Sequence, residues 1–449
     1  MTPLRCFLLS FLFFLPTDTL PLHGEGSTCS FADVVKQGWG DSRNSGVVGA
    51  EIDGTKISFF AAGNVGVDAP PEEVIFEIGS ITKVFTGLLL GQAVVDGMVR
   101  LDDPVSKFLP ATVKLHPSVA AVTLEQLATH TSGLVNNPDN LTNADPLNPF
   151  ADYTVSQFYE FLVQQQLEGP APHPYSYSNA GVGLLGHILE LSYHKTFAEL
   201  VAQKIAQPLG MNDTVVTLSD SQTKRFAAPH DKEKPAKAWL LPTLAGAGAL
   251  RSTAADMAKL IQTLASENNP LKAAWDVARE PRIKVHSNQT GLGIAMVQRS
   301  GTYWYFHAGG TGGFRSMIEF SPEAKRGFVL LANNTQPELQ GLIERLHVDP
   351  LDPNRPEQPI EPKKLKEYAG IYRVGEEIEL VAAIGREKRL LVCFTGQDYG
   401  PPLSYAGNDR FFSRKVAAEF EFSRDAHGKI ETMTLIQNGR RLTAQRIEE

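Results

Sequence analysis

Ser80 and Lys83, three residues apart, are the first pair in this chain whose types and spacing could do chemistry. The run Phe76-Glu77-Ile78-Gly79-Ser80-Ile81-Thr82-Lys83 reads as a short strand, a tight glycine turn and the start of a helix that continues through Val84 to Leu90. Residues three apart share a helix face, so the Lys83 amine lies beside the Ser80 hydroxyl. Serine is a weak nucleophile at neutral pH and needs a neighbour to take its proton. A lysine buried at the head of an apolar helix can do so, because desolvation lowers its pKa. The helix N-terminus also aims backbone N–H groups at negative charge developing near Ser80. The same spacing suits a serine that caps a helix with a lysine on its solvent side, so the rest of the chain has to decide.

The elements that would position this pair follow in order. Alternation over Gly46–Gly54 predicts a hairpin with Asp53-Gly54 as its turn. The Ser80 helix stops near Asp96-Gly97, and Thr123-Leu124-Glu125-Gln126 is a capping box that opens a short helix ending in Thr129-His130-Thr131-Ser132-Gly133-Leu134. Residues Asn136 to Tyr153 read as a long polar loop, of a length that tends to be functional or mobile. Helical periodicity returns over Val155–Gln166 and Ala180–Tyr193, and Thr253 caps a helix over Ala254–Ala265. From Thr302 to Ala332 the pattern is of strands, and the glycines at 309, 310, 312 and 313 lack the Gly-Lys-Ser/Thr ending of a phosphate loop.

Composition narrows the function classes. A formal net charge of −8 argues against nucleic acid as a partner. The 3 Cys and 11 His show neither Cys-x-x-Cys nor His-Glu-x-x-His spacing, so neither a metal nor another cofactor is expected. Residues 1–26 read as an export signal, with Arg5 as the charged start, Cys6–Leu15 as the apolar core and small residues near Gly24–Gly26 for cleavage. The expectation is a soluble protein exported to the periplasm or beyond the cell. Residues 27–347 form the large domain. Prolines 350, 353, 356, 359 and 362 recur at the polyproline II period, marking 348–363 as a stiff linker. Residues 364–449 read as a small all-β barrel or sandwich, with turns at His427-Gly428 and Asn438-Gly439.

Three pieces, Ser80-Ile81-Thr82-Lys83, Tyr177-Ser178-Asn179 and His307-Ala308-Gly309, stand in an order and at separations that resemble the serine β-lactamase and penicillin-binding family. The likeness is to class C β-lactamases and the related D-Ala-D-Ala carboxypeptidases and esterases. It runs from about Phe76 to Asn334 and includes the Leu127–Leu134 run and Thr311-Gly312-Gly313-Phe314. It implies an α/β (α+β) β-lactamase/transpeptidase-like domain, an antiparallel sheet flanked by helices with an all-helical region, and an acyl-enzyme on Ser80. It also implies that Lys83 helps deprotonate Ser80, and that Tyr177, its pKa lowered by nearby cations, carries the proton to the leaving group. Tyr175 is the alternative tyrosine, but only Tyr177 gives Tyr-x-Asn. Asn179 would hold Lys83 and the substrate's amide, or simply cap its helix. The N–H groups of Ser80 and Gly310 would form the oxyanion hole, with Asn136, His307 and Gly309 contacting substrate.

His307 departs from the class C pattern, which has Lys there to attract the substrate carboxylate; near pH 7 a histidine carries partial charge. Arg315 could substitute or face solvent, and Thr82 replaces the small residue usual before the Lys. The resemblance therefore implies a hydrolase of β-lactams or D-amino-acid peptide amides. Two alternatives stand: an esterase acting on small acyl esters, and a cell-wall or ligand-binding homologue without turnover. The implied partner is a small substrate, with peptidoglycan a further one. The appended β domain would bind a ligand, cover the site or only pack.

Overall fold

The computed structural model describes residues 31–39, 44–141, 145–169, 171–285, 288–299, 302–336, 339–344, 355–375, 378–385, 388–395, 402–413, 418–437 and 440–447. The expected export signal, linker residues 348–354 and the Asn438-Gly439 turn lie outside them. Among the described residues, two compact units separate at Gln340/Gly341.

The first unit is built on an eight-stranded sheet. Its order is Lys56–Gly63, Gly46–Asp53, Arg326–Ala332, Arg315–Ser321, Thr302–Gly310, Ala295–Arg299, Asn288–Thr290, Ile283–Val285. The expected Asp53-Gly54 hairpin joins the first two strands, with Gly54 at φ +58°. Gly46–Asp53 also pairs antiparallel with Arg326–Ala332, so the chain's early and late segments meet in mid-sheet. Side chains alternate across a strand. Val48, Ala50 and Ile52, with Val329 and Leu331, therefore enter the main core. The opposite face carries Phe60 and Phe328, whose rings meet Phe31 of the helix Phe31–Trp39 edge-on at 5.1 and 5.0 Å. Both faces are thus covered, which fits the near-continuous apolar run in the edge-adjacent strand.

Behind the sheet lies the helix Thr82–Val95, entered through the short strand Ile75–Glu77 and a single 3-10 turn, Gly79–Ile81. Residues Thr82 to Gly91 are all buried, against the helices Lys272–Ala278, Asn179–Tyr193 and Ala245–Gly248. Each fully buried Leu or Phe stabilises by roughly 1.5–3 kcal/mol, so this helix is a rigid mount for whatever stands at its head. The capping box at Thr123 is present, with Gln126 returning the bond.

The second unit contains a closed barrel of eight strands taken in chain order, from Gly370–Val374 to Arg440–Ile447, closed by Ile371 opposite Ile447. Of the two expected architectures the chain adopts the barrel. Eight strands leave an interior that side chains fill, and here Tyr368, Phe411 and Phe422 meet ring to ring at 4.8 to 5.7 Å. Residues 355–361 of the proline-rich stretch are tied to this barrel: Gln358 N–H donates to the Tyr405 carbonyl at 2.8 Å, and Ile360 packs on its core.

Candidate active site

Gly79 sets the Ser80 turn. Its φ is +48°, and a Cβ there would lie 2.7 Å from the Gly310 nitrogen, so only glycine lets the strand end at Gly310 close on the turn. Gly309 is buried against the same turn, with its missing Cβ facing the Ile78 carbonyl. That close approach packs the strand on the turn that carries Ser80. Ser80 and Gly310 line one cleft.

Lys83 is fully buried and its amine has three partners: Ser80 Oγ at 3.1 Å, Asn179 Oδ1 at 2.7 Å and the Ala247 carbonyl at 2.7 Å. Burial pulls its pKa down to about 7. At that pKa much of the amine is neutral at neutral pH, with two hydrogens and a lone pair. Asn179 Oδ1 and the Ala247 carbonyl only accept, so the two hydrogens stay on them. The lone pair is left for the one partner that can donate, the Ser80 hydroxyl.

Tyr177 donates its phenol to Ser80 Oγ at 2.8 Å, and the Lys83 amine lies 4.8 Å from its ring centroid. The expectation that cations lower this phenol's pKa is corrected: burial raises it well above the ordinary value. A desolvated ring beside a partly neutral amine has little to stabilise a phenolate. Tyr175 stands against His130, its ring edge-on at 5.7 Å, and burial pushes its phenol up to about 12.

Asn179 is not the helix cap. Ser178 takes that role, its Oγ accepting from Gly181 N–H at 2.8 Å. The Asn179 side chain is thereby free to accept from Lys83 and to donate to Asn137 Oδ1 at 3.2 Å. Asn136, exposed, accepts from the Asn179 and Ala180 backbone through Oδ1 and its carbonyl, at 3.3 and 2.9 Å. Its oxygens therefore hold the helix end, and the amide set towards Asn179 is that of Asn137, one residue on.

His307 donates from Nδ1 to the Ala308 carbonyl at 2.7 Å, since a carbonyl only accepts, which makes Nε2 an acceptor. Burial and the nearby Lys83 charge take its pKa down to about 4. That direction runs against the partial charge expected at pH 7. Arg315 Nη1 donates to the Phe314 carbonyl at 3.2 Å.

His130 was not singled out by the sequence, although it stands in the Leu127–Leu134 run. Its Nδ1 accepts from Ser178 N–H at 3.1 Å and its carbonyl from Ser176 N–H at 2.9 Å, so it holds both neighbours of Tyr177. Its ring lies 4.4 Å from the Tyr177 ring, and burial keeps it neutral. We expect His130→Ala to lower kcat by about tenfold, the loss of one neutral hydrogen bond, and His130→Asn to recover part of it. Asn keeps an acceptor and tolerates the φ of +59° found here. In a Tyr177→Phe background His130→Ala should cost little more; a full additional loss would show that His130 does not act through the phenol.

A serine at a helix head, a buried lysine beside it and a helix-flanked antiparallel sheet fit a serine hydrolase with the β-lactamase/transpeptidase fold. The β-lactamase family profile matches residues 31–349, and the chain belongs to that family. It is 26% identical over 324 residues to a β-lactamase of Yersinia enterocolitica, covering 63% of this chain and 80% of that one. It is 29% identical over 242 residues to the D-alanyl-D-alanine-carboxypeptidase/endopeptidase AmpH of Escherichia coli K12, covering 53% and 61%. Among solved structures, a β-lactamase/D-alanine carboxypeptidase from Pseudomonas syringae superposes with a TM-score of 0.60 at 22% identity, covering 68% of this chain and 94% of that one. A class C β-lactamase mutant does so at 0.58 and 22%, covering 66% and 88%; at that identity the likeness concerns the fold. Among the described residues no cluster of His, Cys, Asp or Glu could hold a metal ion, and no helix is long and apolar enough to cross a membrane.

Proposed function

We propose that the chain transfers the acyl group of a small carbonyl substrate to Ser80 and then to water. The observation that carries this is the Ser80 oxygen held between Lys83 Nζ at 3.1 Å and Tyr177 OH at 2.8 Å. Ser80 Oγ attacks the carbonyl carbon and its proton passes to neutral Lys83. The resulting ammonium beside the Tyr177 ring makes the phenol a better proton donor, so Tyr177 protonates the leaving atom and recovers its proton from Lys83. The scissile bond breaks and an ester to Ser80 remains. Water then attacks that ester by the same route in reverse, with Ser80 Oγ as the leaving group. The N–H groups of Ser80 and Gly310 serve the oxyanion. Tyr177→Phe should lower kcat by about 10²–10⁴-fold with little change in KM, and unchanged kcat would remove the phenol from this route.

β-Lactams and D-amino-acid peptide amides are the substrates this reading takes first, following the names of the relatives. Ester hydrolysis is the second reading, favoured by one observation: a neutral His307 offers no charge to a substrate carboxylate. We also propose export through the leader at residues 1–26, which N-terminal sequencing of the mature protein would test. Intact-mass analysis with a penicillin, a cephalosporin and p-nitrophenyl acetate, with Ser80→Ala as control, decides between the substrates. A transient β-lactam adduct means a β-lactamase and a lasting one a carboxypeptidase. Ester turnover without a β-lactam adduct means an esterase. No adduct and no turnover with any of them would defeat the acyl-Ser80 reading.

A further inference from the structure

The cleft that holds Ser80 has a wall that the chemistry above does not use. Phe150, Trp239, Leu241 and Leu244 line it beside Ser80 and Thr311. Phe150 and Trp239 meet edge to face at 5.3 Å. This wall is built from two loops clamped together. Trp239 Nε1 donates to the Leu147 carbonyl at 3.1 Å, Leu240 N–H donates to Asn148 Oδ1 at 3.0 Å, and Lys237 pairs with Asp145 at 2.7 Å. From below, the buried Glu77 carboxylate accepts from Trp239 N–H at 2.8 Å, and Arg251 donates to the Trp239 carbonyl at 3.0 Å.

The polar groups of both loops are thus spent on each other, and two leucines are left in water. Leu147 is 54% exposed and Leu240 52% exposed, each next in sequence to a residue of the clamp. A single exposed leucine is ordinary; these two stand outside the residues that line the cleft but on the same two loops, so an apolar track from the wall would run to them. Arg315 donates to the Phe314 carbonyl and its guanidinium stands beside Gly310, so its charge sits at that end of the cleft and is not among the groups that line the wall. The wall itself, Phe150, Trp239, Leu241 and Leu244, is apolar.

We infer that the site takes acyl groups with an extended apolar portion, alkyl or aromatic, which lies along Phe150 and Trp239 and reaches Leu147 and Leu240. The inference rests on acyl transfer to Ser80 and names the substrate class of that same site. Tyr177, which serves the leaving atom in that chemistry, is not among the residues that line this cleft, and that puts the wall on the acyl side of the carbonyl.

The test is a series of p-nitrophenyl esters from acetate to octanoate, in which the leaving group is constant. Each methylene that reaches the track should raise kcat/KM by about fourfold, the equivalent of one buried CH₂. Trp239→Ala should flatten the series from its short end. Leu147→Ser with Leu240→Ser, both exposed and so without a folding burden, should lower the octanoate-to-acetate ratio by about tenfold. A flat series in the wild type, or a ratio unchanged in the double serine variant, overturns the inference while Ser80-dependent acetate hydrolysis keeps the acyl-transfer reading. A β-lactam adduct without ester turnover has the same consequence. No Ser80-dependent acylation by any ester or β-lactam overturns both.

Discussion

Lys83→Arg is expected to slow acylation of Ser80 by about 10³–10⁴-fold, near the upper range for removal of a general base. Arginine keeps a positive charge and hydrogen-bond donors at the site, so a purely electrostatic role for Lys83 would largely survive. It cannot give up its proton near neutral pH, so a base would not. The wild-type profile supplies the complementary sign. With the Lys83 pKa at about 7, the acylation rate falls tenfold per unit as pH drops below about 6 and levels off above about 8. Single-turnover acylation read by mass over pH 5–9 checks both, and a flat acid limb in the wild type would exclude Lys83 as the base. Stability has its own sign. The unfolded chain holds this proton up to about 10.4, so between the two pKa values the unfolded state binds more protons and stability rises with pH. Below pH about 7 the buried ammonium costs about 5 kcal/mol relative to a lysine in water, an expense tied to function.

The Ser80–Lys83 spacing and the Tyr-x-Asn triplet could be read in the sequence because each depends on local geometry. A helix head puts residues three apart together, and a helix entry puts Asn179 one residue inside its Ser178 cap. Helix limits were readable for the same reason: Ala254–Leu264 and Asn179–Tyr193 differ from the expected spans by one residue each. What could not be read depends on partners far along the chain. His130 meets Ser178 across 48 residues, and Trp239 meets Glu77 across 162. No periodicity encodes such pairings. Barrel and sandwich share the same alternation, and only the pairing of Ile371 with Ile447 separates them. The Lys83 pKa direction was legible because an apolar helix head implies burial, whereas those of Tyr177 and His307 depend on surroundings set by distant parts of the chain. Asn136 rests on a loose alignment, and a loop register sets no preference between it and Asn137, whose side chain accepts from Asn179.

Arg251→Met is expected to destabilise the large domain by about 3–5 kcal/mol, because it strands a buried carboxylate. Glu77 is 3% exposed and Arg251 6%, and their side chains pair at 3.2 Å. Desolvation already holds the Glu77 pKa above its ordinary value even with Arg251 present. Without the guanidinium that pKa rises further, and the sign follows. A group whose folded pKa is raised loses stability as pH climbs through the folded value, so the deficit should be larger at pH 8 than at pH 5. Replacing both residues, Glu77→Leu with Arg251→Met, removes the stranded charge and should recover most of the stability, as apolar replacements of buried pairs do. It should not recover the wall. Trp239 N–H and carbonyl both lose their partners in the double variant, so the octanoate-to-acetate ratio should stay depressed while the urea midpoint returns. A double variant as unstable as the sum of the singles would mean that the two side chains are not coupled and that a stranded charge does not explain the single variants. A double variant with wild-type chain-length selectivity would mean that the two loops hold Trp239 without help from beneath.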